Sequence, residues 1–191
     1  GLGVAGGVRL HKNVYAIASL ADANGNPNQP NFLVFQHGET FKSFELGYMG
    51  SQERIYFDNI HLTVWHSDAA DDGSRKEDWG VAGSAAWFFN NRWMPFLRAG
   101  VSQGEAALYE KTVSAGLGYY TRETDLMGIG LNWSDPGDDF ERDQYTLEIF
   151  YRFTLSPNLA LTPSVQLIAN PALNPDQESL GFFGLRGRIA L

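Results

Sequence analysis

The feature that most constrains this chain is a recurring stretch of about ten residues in which apolar and polar side chains alternate and the apolar set ends in aromatics. In Tyr145–Leu155, the side chains of Tyr145, Leu147, Ile149, Tyr151, Phe153 and Leu155 share one side, and Thr146, Glu148, Phe150, Arg152 and Thr154 share the other. A period of two is a strand with one oily face. The second face carries Glu, Arg, Gln and Asn where a water-soluble sandwich would carry its core. Oil outside and polar groups inside are the requirements of a transmembrane antiparallel β-barrel, in which a closed ladder satisfies every backbone group in lipid.

Composition agrees. The chain has 191 residues, 21 glycines, no cysteine and 14% aromatics, with a mean hydropathy of -0.25. It is too polar for helical spans, and no stretch reaches the roughly 20 apolar residues that a spanning helix needs. The net charge of -8 argues against nucleic acid. Ten of the 22 acidic residues lie in Asp68–Asp78 and Asp135–Asp143, which places the negative charge in loops. Nothing resembling a secretion leader precedes Gly1, so the start reads as a processed or truncated end.

The pattern predicts strands at about residues 2–11, 13–22, 41–49, 55–66, 80–89, 92–102, 112–120, 126–133, 145–155, 159–169 and 181–191, all within one domain spanning 1–191. The connections alternate between short, such as Asn90-Asn91 and Ser156-Pro157-Asn158, and long, such as Ala23–Thr40, Ser67–Trp79 and Ser134–Gln144. Short periplasmic turns and long outer loops are the habit of outer-membrane barrels. On that sidedness the last strand runs inward and the first begins outside. Bacterial barrels have an even strand number and periplasmic ends. The expectation is therefore that an odd number of N-terminal strands precedes this sequence, or that one further strand lies within the glycine-rich opening or Ala23–Thr40.

The expected lipid-facing sets carry no charge: Val113, Ala115, Leu117 and Tyr119; Met127, Ile129, Leu131 and Trp133; Phe183, Leu185, Gly187, Ile189 and Leu191. Phe89, Trp93, Trp133 and Tyr145 sit at strand ends, as an interfacial belt requires. One position resists. Asp58 shares parity with Ile60, Leu62 and Val64, and a bulge or a later strand start would remove the conflict.

The opposite parity holds the candidate substrate-binding wall: Arg9, Glu45, Asn59, His61, Trp65, Arg98, Glu148, Arg152, Gln166, Asn170, Arg186 and Arg188. Planar guanidinium donors, carboxylate and amide acceptors and a flat ring can together replace water around a polyol. The same residues could instead brace the wall as ion pairs. Two other functions compete with a sugar channel. Inward arginines would suit a general or anion-preferring porin, and a membrane-embedded hydrolase would need a nucleophile, a His and an acidic partner on one face. His61 and Thr63 have no acidic partner in register, so no enzyme is expected.

Other motifs carry less. Gly1-Leu2-Gly3-Val4-Ala5-Gly6 satisfies a dinucleotide fingerprint literally, but no strand precedes it and no helix pattern follows. His61 and His66 face opposite sides of a strand and cannot chelate one metal. Asp71-Asp72 and Asp138-Asp139 lack the ligand spacing of a calcium loop and read as solvated loops, with bridging to lipopolysaccharide through divalent cations as the alternative. Neither cofactor nor metal is expected.

At this point the sequence resembles the carbohydrate-selective porins of the OprB family. Tyr151-Arg152-Phe153, the run Leu161-Thr162-Pro163-Ser164-Val165-Gln166-Leu167-Ile168-Ala169-Asn170-Pro171, and Phe183-Gly184-Leu185-Arg186 are similar to the C-terminal part of that family. Upstream blocks follow in the same order: Asp22-Ala23-Asn24-Gly25, Glu45-Leu46-Gly47, His61-Leu62-Thr63-Val64-Trp65-His66, Pro95-Phe96-Leu97-Arg98-Ala99-Gly100 and Gly130-Leu131-Asn132-Trp133. The resemblance covers essentially the whole chain and implies a bacterial outer-membrane barrel of 16 strands, about 11 of them here, that passes small sugars by facilitated diffusion. It also implies contact with outer-membrane lipid and lipopolysaccharide, and by family analogy a homo-oligomer. Leu191 stands where such barrels commonly end in Phe.

Overall fold

The computed structural model describes residues 2–23, 38–55, 57–70, 73, 76–104, 107–137 and 142–190. Among them are eleven strands and one 3-10 turn: β1 (Gly3–His11), β2 (Val14–Asp22), β3 (Thr40–Met49), the turn Gln52–Arg54, β4 (Asn59–Ser67), β5 (Asp78–Ala86), β6 (Trp93–Gln103), β7 (Lys111–Tyr120), β8 (Leu126–Asp135), β9 (Gln144–Ser156), β10 (Leu159–Ala169) and β11 (Ser179–Ile189). They hydrogen-bond in chain order as one sheet, β1 to β11, and every pair whose register is resolved is antiparallel. No described helix is long and apolar enough to cross a membrane. The chain divides into two compact units, Gly1–Ala85 with Ala99–Glu110, and Ala86–Arg98 with Lys111–Leu191.

In the first unit, β3 and β4 fix the faces. Register opposes Phe44 to Val64, Leu46 to Leu62 and Tyr48 to Ile60 on one side, and Ser43 to Trp65, Glu45 to Thr63 and Gly47 to His61 on the other. Exposure inverts the rule for soluble sheets. Ile60, Leu62 and Val64 are 48%, 54% and 43% exposed, whereas Asn59, His61, Thr63 and Trp65 are half-buried. An apolar face left open on this scale needs a non-aqueous partner.

The second unit repeats the arrangement. Ile129 lies between Leu117 of β7 and Ile149 of β9, and Ile149 in turn faces Val165 of β10. One residue along, Glu148 lies between Gly130 and Gln166 on the polar side. Buried apolar residues are few in both units, with Tyr15, Ala16, Met49, Ala70, Leu126 and Ala172 making up the described set. The sheet is held by its ladder and cross-strand pairs.

β4, β5 and β11 start two or more residues from their predicted positions, and for β4 and β5 the reason is local. β4 begins at Asn59 because the preceding segment wraps into a turn: the Arg54 carbonyl accepts from Phe57 and Asp58 at 2.8 Å, and Gly50 N–H donates to the Asp58 carbonyl at 3.1 Å. The Asp58 carboxylate takes the Arg54 guanidinium inside that turn, 3% exposed, so its clash with the oily face disappears. β5 begins at Asp78, whose carboxylate accepts from Ala107 N–H at 2.9 Å. β5 stops at Ala86 although the hairpin continues, with Trp87 N–H donating to Pro95 O at 3.3 Å. Proline has no N–H to return the bond, so the ladder is interrupted there. The hairpin closes where Phe89 bridges Trp93, with Asn90 and Asn91 both left-handed, φ 49° and 53°. Asn tolerates that region better than most residues.

Candidate functional site

The polar face of the first unit is organised by Tyr15, a residue that sequence alternation overlooked. Its hydroxyl donates to Glu45 Oε1 at 2.9 Å and receives Asn59 Nδ2 at 3.0 Å. Thr63 Oγ1 donates to Glu45 Oε2 at 2.9 Å, so both carboxylate oxygens are held; the expectation that Thr63 has no acidic partner in register is thereby corrected, because the partner comes from β3 directly opposite and not from β4 itself. His61 Nδ1 lies 2.6 Å from Asn59 Oδ1, continuing the chain of contacts along β4. Such a network fixes rotamers and costs more to disrupt than one exposed contact. Arg9 stands opposite Tyr15 in register, on the same face and exposed. Trp65 stacks on Phe41 at 5.9 Å with a 25° interplanar angle.

The second unit has its own hub, Asn132. Its amide donates to Thr112 Oγ1 and Ser114 Oγ, both at 2.9 Å, and its carbonyl accepts from Ser134 Oγ at 2.8 Å. Beside it a cavity of about 350 Å³ is lined by Phe96, Arg98, Ser114, Asn132, Glu148 and Gln166. Arg98 sits over the Phe96 ring at 5.7 Å. A second cavity of about 330 Å³, near the turns after β7 and β9, has Tyr120, Arg152, Thr154 and Arg188 in its wall. Arg152 lies over Tyr120 at 5.9 Å and donates to Thr124 O at 3.4 Å. Register places Arg186 opposite Thr162 and Arg188 opposite Ala160, on the face that also carries Gln166.

Eleven of the twelve predicted wall residues therefore lie on the polar face of their own unit. Asn170 differs. It follows β10 with φ 51° and donates to the Asp143 carbonyl at 3.1 Å, so it shapes a strand-end turn. Within the described residues Arg9, Arg98, Arg152, Arg186 and Arg188 make no ion pair; the salt bridges present involve Lys42, Arg54, His66, Lys111 and Arg122.

Among the described residues, charge on the apolar side of each unit is confined to strand ends. Lys42 Nζ meets Asp68 at 3.1 Å, and His66 lies 2.7 Å from Glu77 and 3.4 Å from Asp68. The Thr40 hydroxyl and N–H, together with Lys42, hold the Asp68 carboxyl down to about 2, against the burial that opposes them. Asp71-Asp72 and Asp138-Asp139, together with Asn24-Gly25 and Leu191, lie outside the described residues.

An antiparallel meander with one oily and one hydrogen-bonding face has the construction of porin-type outer-membrane proteins. Residues 48–191 match the profile of the carbohydrate-selective porin, OprB family, and the chain belongs to that family. That family is one of outer-membrane porins and not of enzymes. The fold is similar to the structure of Pseudomonas putida OprB at high pH, with a TM-score of 0.75 and 15% identity, over 98% of this chain and 58% of that one. The chain accordingly spans less than two thirds of the length of that structure. Comparison with curated proteins gives no match.

Proposed function

We propose that the full-length protein is a closed barrel of 16 strands through which small carbohydrates, monosaccharides and short oligosaccharides, diffuse across the outer membrane. In this reading the apolar face meets lipid and lipopolysaccharide, and the polar face lines the lumen. The observation that carries it lies in the second unit, where Arg98, Arg186 and Arg188, without an ion pair among the described residues, share the polar face with Glu148, Gln166 and the Asn132 network. Their N–H groups can donate to sugar hydroxyls, Glu148 and Gln166 can accept, and Phe96 or Phe150 offers a flat apolar surface. Weak contacts of this kind replace water without trapping the solute, the condition for rapid passage.

Single-channel recordings of the full-length protein, titrated with glucose and glucose oligomers, test this. Saturable block of the ion current supports a sugar site within the pore. Anion-selective reversal potentials without sugar block would instead make this a general anion-preferring porin, a role the same arginines would serve. Crosslinking in native membranes tests the homo-oligomer that family analogy implies.

A further inference from the structure

Four aromatic side chains on the polar face, Tyr15, Trp65, Phe96 and Phe150, do not stand up from the sheet; they lie across glycines of the neighbouring strand. Phe150 of β9 is directly opposite Gly128 of β8, and a Cβ placed on Gly128 would fall 2.2 Å from Phe150 Cε1 and 2.3 Å from Cζ. Tyr15 of β2 covers Gly47 of β3 in the same way, at 2.1 Å from Cζ. Trp65 of β4 covers Gly80 of β5, at 2.5 Å from Cε2. The arrangement occurs in both units. On the apolar face, by contrast, a Cβ at Gly6 or Gly187 would meet nothing within 4 Å.

We infer that these glycines are specificity-determining positions: each lets a ring lie flush with the wall, and together they set the width of the lumen and present ring faces, not edges, to the solute. The inference rests on the channel reading above. A methyl group at Gly128 cannot coexist with Phe150 in place, because ordinary contact begins near 3.4 Å. The ring must move outward by more than about 1 Å, and the polar side is the direction open to it. Phe96, which covers Gly116, is a poorer test, since a Cβ there would also lie 2.4 Å from the Ile129 carbonyl and disturb the ladder.

The test is conductance and sugar block of the full-length protein in planar bilayers. Gly128→Ala should lower conductance by some tens of per cent, on the order expected when a side chain enters a narrow pore, and should shift the sugar concentration for half-block. Gly128→Ala/Phe150→Ala should restore conductance, and Gly6→Ala should leave it unchanged. Should Gly128→Ala fail to fold, Gly80→Ala with and without Trp65→Ala gives the same comparison, and Phe150→Ala alone should raise conductance. A folded Gly128→Ala channel identical to wild type, or a loss that the double variant retains, overturns the inference. A wild-type protein that forms no channel would refute the channel reading itself, which keeps the two failures apart.

Discussion

Replacing Ile149 with Arg, compared with replacing Glu148 with Arg, tests the assignment of the faces at one depth on one strand. Ile149 is 46% exposed and flanked by Ile129 and Val165. If that face meets lipid, a guanidinium near the bilayer middle costs about 2–4 kcal/mol. That lowers the equilibrium for folding into lipid by roughly 30-fold to 1,000-fold. Glu148 has no ion pair to lose among the described residues, and its flanking partners are Gly130 and Gln166. Arg there lines the same cavity as Arg98, and repulsion through water costs at most about 1 kcal/mol. Urea-dependent folding into phospholipid vesicles, followed by gel mobility and tryptophan emission, separates these values. Equal destabilisation by both variants, or a larger effect at Glu148, would refute the inside-outside assignment.

Tyr15→Phe removes the hydroxyl shared by Glu45 and Asn59 and should cost about 1–2 kcal/mol in the same folding titration, with a measurable change in sugar affinity. Asp68 provides a pH prediction. Its carboxyl is held at about 2, below the ordinary 3.8, so its contribution is present above pH 3.8 and is lost as pH falls toward 2. Because the group is partly exposed, that contribution is on the order of 1 kcal/mol; acid titration of stability should show it in wild type and not in Asp68→Asn. At the β5–β6 turn, Asn90→Ala and Asn91→Ala should each destabilise by about 1 kcal/mol, whereas the glycine variants should be neutral or better, as thermal unfolding would report.

The strand order and most of the polar wall were legible because alternation is strict from β7 to β11, where each side chain's face follows from counting. Legibility failed where both faces carry similar residues. In β2, Val14, Tyr15, Ala16, Ile17 and Ala18 give no polar contrast, so the hub Tyr15 did not stand out; its partner Gly47, directly opposite, was the available signal. Asn132 was visible as part of a resemblance, but its three hydroxyl partners come from β7 and from β8 itself and depend on register. Asp58 violated its face by parity alone, and only the turn that captures Arg54 explains it. Proline at 95 ends regular pairing of β5 earlier than hydropathy indicates, because hydropathy does not count N–H donors.

A sheet in which every strand hydrogen-bonds only to its neighbours in sequence treats insertions very unequally. A whole hairpin added or lost enters between existing neighbours, alters strand number by two and, in the proposed barrel, rescales the bore without disturbing any other register. One residue gained inside a strand exchanges oil for water along the rest of that strand. Descendants of such a chain can therefore vary freely in outer loops and in steps of complete hairpins, while strand lengths between turns are held nearly constant.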